Sequence, residues 1–127
     1  MIRLSLLFLS IFSLIYGIYF LFFPYSFVIM TDAQITNIAW LRNLGGAITG
    51  LLFFGLFMVY LKPKGSLKLL NVIIITSIIQ TSALIYSRLF NEFSAKNTLI
   101  IDITIYSAIL VTVYLVYISI KFKNLFI

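Results

Sequence analysis

With 127 residues, 63% apolar side chains, only 9% charged ones and a mean hydropathy of +1.18, the chain cannot be a water-soluble domain. A soluble domain of this size has roughly a quarter of its residues charged. The net charge of +6 comes from nine Lys and Arg against three acids, too few and too scattered for a nucleic-acid surface. The absence of Cys and His removes disulfides, thiolate chemistry and the usual haem, iron–sulfur and zinc ligands, so no cofactor or metal is expected.

The first apolar run covers about 4–23, after Arg3 and before Pro24. Arg3 followed by such a run imitates a signal peptide. The run is too long for an h-region, however, and no Ala-x-Ala-like site follows, so a retained span is expected. Ser10, Ser13 and Gly17 lie near one face, a small-residue strip suited to close helix contact.

From Pro24 to Ala39 polar residues interrupt the run. Thr31 with Gln34 three residues on fits a capping box, with Asp32 in the first turn, so a helix-like interfacial segment is expected over about 31–40. Trp40 marks the interface that leads into a second span at about 41–61. Lys62-Pro63-Lys64-Gly65 forms a tight polar turn, and a third span follows at about 69–87. Arg88, Glu92 and Lys96 punctuate the next loop. Asn97 or Thr98 can cap the fourth span, about 99–120, which Lys121 and Lys123 close. The expected fold is all-α: one integral membrane domain, an antiparallel four-helix bundle with short connections.

The charges orient this bundle. Arg3, Lys62, Lys64, Lys68, Lys121 and Lys123 fall on one side with no acid, while Asp32, Arg42, Arg88, Glu92, Lys96 and Asp102 balance on the other. The positive-inside rule then puts both termini in the cytoplasm. Nineteen residues separate Arg42 from Lys62, nineteen separate Lys68 from Arg88, and eighteen separate Asp102 from Lys121. At about 1.5 Å per residue each interval spans close to 28 Å, roughly the hydrocarbon thickness. Arg42, Arg88 and Asp102 are therefore expected at one outer level.

Two readings of that layer stand side by side: interfacial residues that snorkel and pair to fix packing, or a polar pocket in which a spare guanidinium holds a carboxylate or phosphate. Tyr106, one turn beyond Asp102, could hydrogen-bond the layer from below. Gln80, on a stripe with Ser77, Thr81, Leu84 and Arg88, is the most deeply placed strongly polar side chain and needs a partner inside the bundle. Gly46-x-x-x-Gly50, in line with Arg42 at i+4 and i+8, reads as a helix-packing surface.

Together, Tyr16-Gly17, Phe23-Pro24, Leu41-Arg42-Asn43-Leu44-Gly45-Gly46 and Tyr86-Ser87-Arg88-Leu89-Phe90, with Asp102 entering the fourth helix, resemble a bacterial family of small four-helix membrane proteins of unknown function, DoxX-like in build. The family more often carries Glu where Asp102 stands. The resemblance implies a topology and a bacterial inner-membrane location, not a reaction.

The function expected from these features is binding of a membrane lipid or a membrane partner through the Arg42/Arg88/Asp102 layer. A small transporter or channel formed by a homo-oligomer, and an accessory subunit of a membrane complex, are the alternatives. No acid lies mid-span to couple protons. No nucleophile–base pair is visible, and only Glu92 and Tyr106 could second Asp102 in acid–base work, so no catalytic residue is assigned.

Overall fold

Proline and short polar turns divide the chain into α1 (Ile2–Phe22), α2 (Pro24–Thr31), α3 (Ile38–Leu61), α4 (Leu67–Leu89), α5 (Leu99–Lys121) and α6 (Lys123–Phe126). The computed structural model describes residues 1–33 and 38–127. Among the described residues there is no strand, only an isolated bridge between Ala33 and Ala95. Four helices, α1, α3, α4 and α5, are long and apolar enough to cross a membrane, and only 22–28% of the apolar window of each is buried inside the bundle. The remaining surface carries exposed Leu, Ile, Phe and Val along every span. Such a surface requires an apolar solvent, as in a multi-pass membrane protein.

Local chemistry sets the boundaries. Pro24 occupies the first turn of α2, where its missing N–H removes no helical bond and its fixed φ is already helical. Asp32 ends α2 in the left-handed region at φ 48°, which a short polar side chain tolerates. This corrects the expected capping box: Thr31 closes a helix and does not open one, and its hydroxyl donates back to the Phe27 carbonyl at 2.8 Å. Gln34, Thr36 and Asn37 of that segment lie outside the described residues. At the polar turn, Gly65 adopts φ 82° and the Ser66 N–H donates to the Pro63 carbonyl at 3.0 Å.

Helices α1 and α3 pack along their length, each beginning beside the other's end. Arg3 donates to the Tyr60 carbonyl from Nε and Nη2 at 3.3 and 3.1 Å, and Arg42 Nη1 donates to the Leu21 carbonyl at 2.7 Å. The close approach is made by Gly17 and Gly45. A Cβ on Gly45 would lie 2.6 Å from the Leu21 nitrogen and 2.8 Å from the Gly17 oxygen, and one on Gly17 would collide with the Thr49 hydroxyl. Gly46 and Gly50, expected as the packing glycines, are exposed with nothing within 4 Å of an added Cβ. The contact face is thus rotated from the Arg42–Gly46–Gly50 row, and within the chain it runs through Gly45 and Thr49.

Within α3, Ile48–Phe54 is a π-helical stretch. Two hydroxyls meet carbonyls along it: Ser10 of α1 donates to Phe53 at 3.0 Å and Thr49 donates to Gly45 at 2.8 Å. The small-residue strip Ser10, Ser13 and Gly17 is buried, as its spacing on α1 requires.

The interior is divided. At the end carrying the termini, Leu6, Leu56, Leu70, Ile73, Leu115 and Ile118 form one cluster, and α6 folds back to bury Phe126 completely among them. At the opposite end Phe20, Phe27, Ile101 and Ile105 form a smaller one. There α2 is tied to the segment before α5: the Asn97 N–H donates to the Thr31 carbonyl at 3.0 Å, and Asp32 lies 3.7 Å from Lys96.

Candidate functional site

A cavity of about 300 Å³ occupies the space between the α1/α3 pair and the α4/α5 pair. It runs from Ser77 to Ser87 on α4, about 15 Å along the helix axis at the α-helical rise. Helix α1 contributes Phe12, Ser13, Tyr16 and Phe20, α3 contributes Leu41, Leu44, Ile48 and Leu52, and α5 contributes Ile101, Thr104, Ile105, Ser107, Ala108 and Val111. Phe27 of α2 and Phe93 of the α4–α5 loop close its far end. Ala83 lines the cavity and is itself exposed, so the space reaches the lipid-facing surface beside α4. A second hollow shares Tyr16, Phe20 and Thr104 with the first and opens between α1 and α5.

The π stretch supplies Ile48 and Leu52 to this wall. Such stretches recur at functional sites because the widened turn re-aims side chains that a regular helix would carry elsewhere.

At the deep end, α4 and α5 are joined by hydroxyls. Thr112 Oγ1 is 2.7 Å from the Ala108 carbonyl, 2.6 Å from Ser77 Oγ and 3.2 Å from Thr81 Oγ1. A carbonyl has no proton to give, so the one proton of Thr112 goes to Ala108. Ser77 and Thr81 must then donate to Thr112, which leaves their lone pairs as acceptors. All three hydroxyls are buried, and Ser77 and Thr81 line the cavity. Gln80 lines it too, half-buried, and makes no hydrogen bond among the described residues. The interhelical partner expected for Gln80 is thus not found among the described residues, and Gln80 borders the cavity instead.

At the other end the expected charge layer is resolved into two separate arrangements. Arg88 Nε donates to Asp102 Oδ1 at 2.7 Å, and its Nη2 reaches Thr98 Oγ1 at 3.3 Å and Asp102 Oδ2 at 3.5 Å. Arg42 instead donates to the Leu21 carbonyl in the last turn of α1, a favourable place for a cation. The one acid of the layer is therefore used by Arg88. Thr98 holds the N-cap position of α5 but its hydroxyl serves Arg88, and the Leu99 N–H donates instead to Asn97 Oδ1 at 3.2 Å. Tyr106 is 68% exposed and makes no hydrogen bond among the described residues, while Ile105 beside it is buried.

The cavity walls contain no Asp, Glu, Lys or Arg among the described residues. The same residues offer no group of three potential metal ligands. Sequence reasoning placed Gln80, Ser77 and Thr81 on one stripe but missed the cavity itself, since wall residues such as Phe12, Phe20, Phe27, Leu44 and Phe93 carry no chemical mark that separates a cavity wall from a packed core. No known protein family, characterised protein or solved structure matches the chain.

Proposed function

We propose that the chain is a bacterial inner-membrane protein that holds one lipid-like molecule in the cavity between its two helix pairs, the antiparallel bundle lying with both termini in the cytoplasm. The observation that carries this reading is the cavity: about 300 Å³, apolar-walled and open beside Ala83. Its volume lies at the lower end of the roughly 300–1,000 Å³ of small-molecule sites. An opening at membrane depth serves a ligand that arrives from the bilayer. The orientation follows from the six cations and no acid at the terminal end, and the DoxX-like resemblance supports the bacterial setting.

The Arg88–Asp102 pair closes the cavity's helices at the mixed-charge end and holds α4 to α5 there. With Arg88 neutralised by its own carboxylate, Arg42 is the cation of the layer without an acid partner, and it is exposed. The chain of the bound molecule would lie among Phe20, Leu44, Leu84 and Ile105.

Purification in a mild detergent followed by native mass measurement tests the reading. One retained small molecule per chain is expected from the wild type, and its loss from Ala108→Phe, which fills the cavity. Retention by an Ala108→Phe variant with an unchanged helical spectrum would contradict it.

A further inference from the structure

Resting on that cavity reading, we infer that the ligand is an uncharged chain with a hydroxyl head, and that it enters head first, with the hydroxyl at mid-membrane beside Ser77, Gln80 and Thr81.

The wall excludes a charged head. Nothing on it can neutralise an ion. Ser77 and Thr81 stand close to the midpoint of α4, and Thr112 close to that of α5, so a phosphate or ammonium drawn in to them would lose its hydration without a counter-charge. A pure hydrocarbon is also a poor match. It would bury the Gln80 amide and the free lone pairs of Ser77 and Thr81 against methylenes, leaving them unsatisfied.

The arrangement of donors and acceptors narrows the head further. Ser77 and Thr81 have spent their protons on Thr112 and present acceptors only. Gln80, one turn along the same helix face from Ser77, presents NH₂ donors as well as its carbonyl. A head that donates to a serine or threonine oxygen while accepting from the amide satisfies both sides. A hydroxyl is the smallest uncharged group that does so, whereas a ketone or ester can only accept. The hydroxyls of Tyr16 and Ser107 also line the cavity and make no hydrogen bond among the described residues. They rotate to suit either role and do not alter the match. The remaining wall towards Phe27 and Phe93 is aromatic and aliphatic, which suits the tail.

The test uses the full chain in nanodiscs, with dodecanol, dodecane and dodecyl phosphate as probes and bound molecules counted by native mass spectrometry. Dodecanol is expected to bind once per chain and about tenfold tighter than dodecane, the worth of one or two buried hydrogen bonds. Dodecyl phosphate is expected not to displace it. Gln80→Leu and Thr81→Val, both close in shape to the native residues, are expected to bring the alcohol down to the alkane. Equal binding of alcohol and alkane by the wild type, or displacement by the phosphate, overturns the head assignment and leaves the cavity reading standing. Binding of no chain at all, dodecane included, overturns the cavity reading and the assignment with it.

Discussion

Ser77 Oγ of α4 lies 2.6 Å from Thr112 Oγ1 of α5, buried and near the middle of both spans. In lipid no water competes for these hydroxyls, and interhelical hydrogen bonds average about 0.6 kcal/mol, reaching about 1.7 in the best cases. Thr112 receives two of them. Thr112→Val keeps the shape and removes the acceptor, so it is expected to destabilise the fold by about 1 kcal/mol. Thermal unfolding in detergent measures this; an unchanged midpoint would show that the hydroxyl cluster does not hold α4 to α5.

The two neighbouring glycines of α3 are expected to behave differently. Gly45→Ala places a Cβ 2.6 Å from the backbone nitrogen of Leu21, and backbone cannot step aside as a side-chain tip can. A loss of about 1–3 kcal/mol is expected. Gly46→Ala and Gly50→Ala meet open space and are expected within about 0.5 kcal/mol of the wild type. Comparing the three melting midpoints checks the ordering. Equal losses would mean that α1 and α3 do not pack through Gly45.

Arg88 and Asp102 form an ion pair at 2.7 Å between half-exposed side chains. Either single change, Arg88→Gln or Asp102→Asn, leaves the other charge without its partner at the membrane boundary. The double variant is therefore expected to be more stable than the sum of the single losses implies, a positive coupling in a double-mutant cycle. Additive losses would deny the pairing. Arg42→Gln, whose partner is a carbonyl, is expected to show no coupling to Asp102→Asn.

The spans were legible in the sequence because length, hydropathy and the flanking charges all act through one variable, the thickness of the bilayer. α1 is expected at about 4–23 and found at Ile2–Phe22, and the fourth span, expected at about 99–120, is Leu99–Lys121. Rotation about each axis was harder to read. Depth put Arg42 level with Arg88 and Asp102, but depth does not say which neighbour a guanidinium faces, and Arg42 turns to Leu21. In the same way, Gly45 and not Gly46 meets α1, because the choice between adjacent residues is made by the partner helix. The burial of Phe126 under α5 gave no sequence signal beyond being a phenylalanine after Lys123. The cavity was illegible for the same reason that it is apolar: Phe12, Leu44, Leu84 and Ile105 look alike whether they face lipid, protein or a ligand.

The central claim, that a chain-like molecule enters between the two helix pairs, is tested most directly by photolabelling. A dodecanol analogue carrying a diazirine on its chain, added to the protein in nanodiscs and irradiated, marks the residues that line its binding place, which peptide mass mapping then reads. The account predicts labels on Leu44, Leu84, Ile105 and Ala108, suppressed by excess dodecanol and lost in Ala108→Phe. Labels confined to exposed residues such as Ile75, Ile79 and Val113, with no competition by dodecanol, would contradict it.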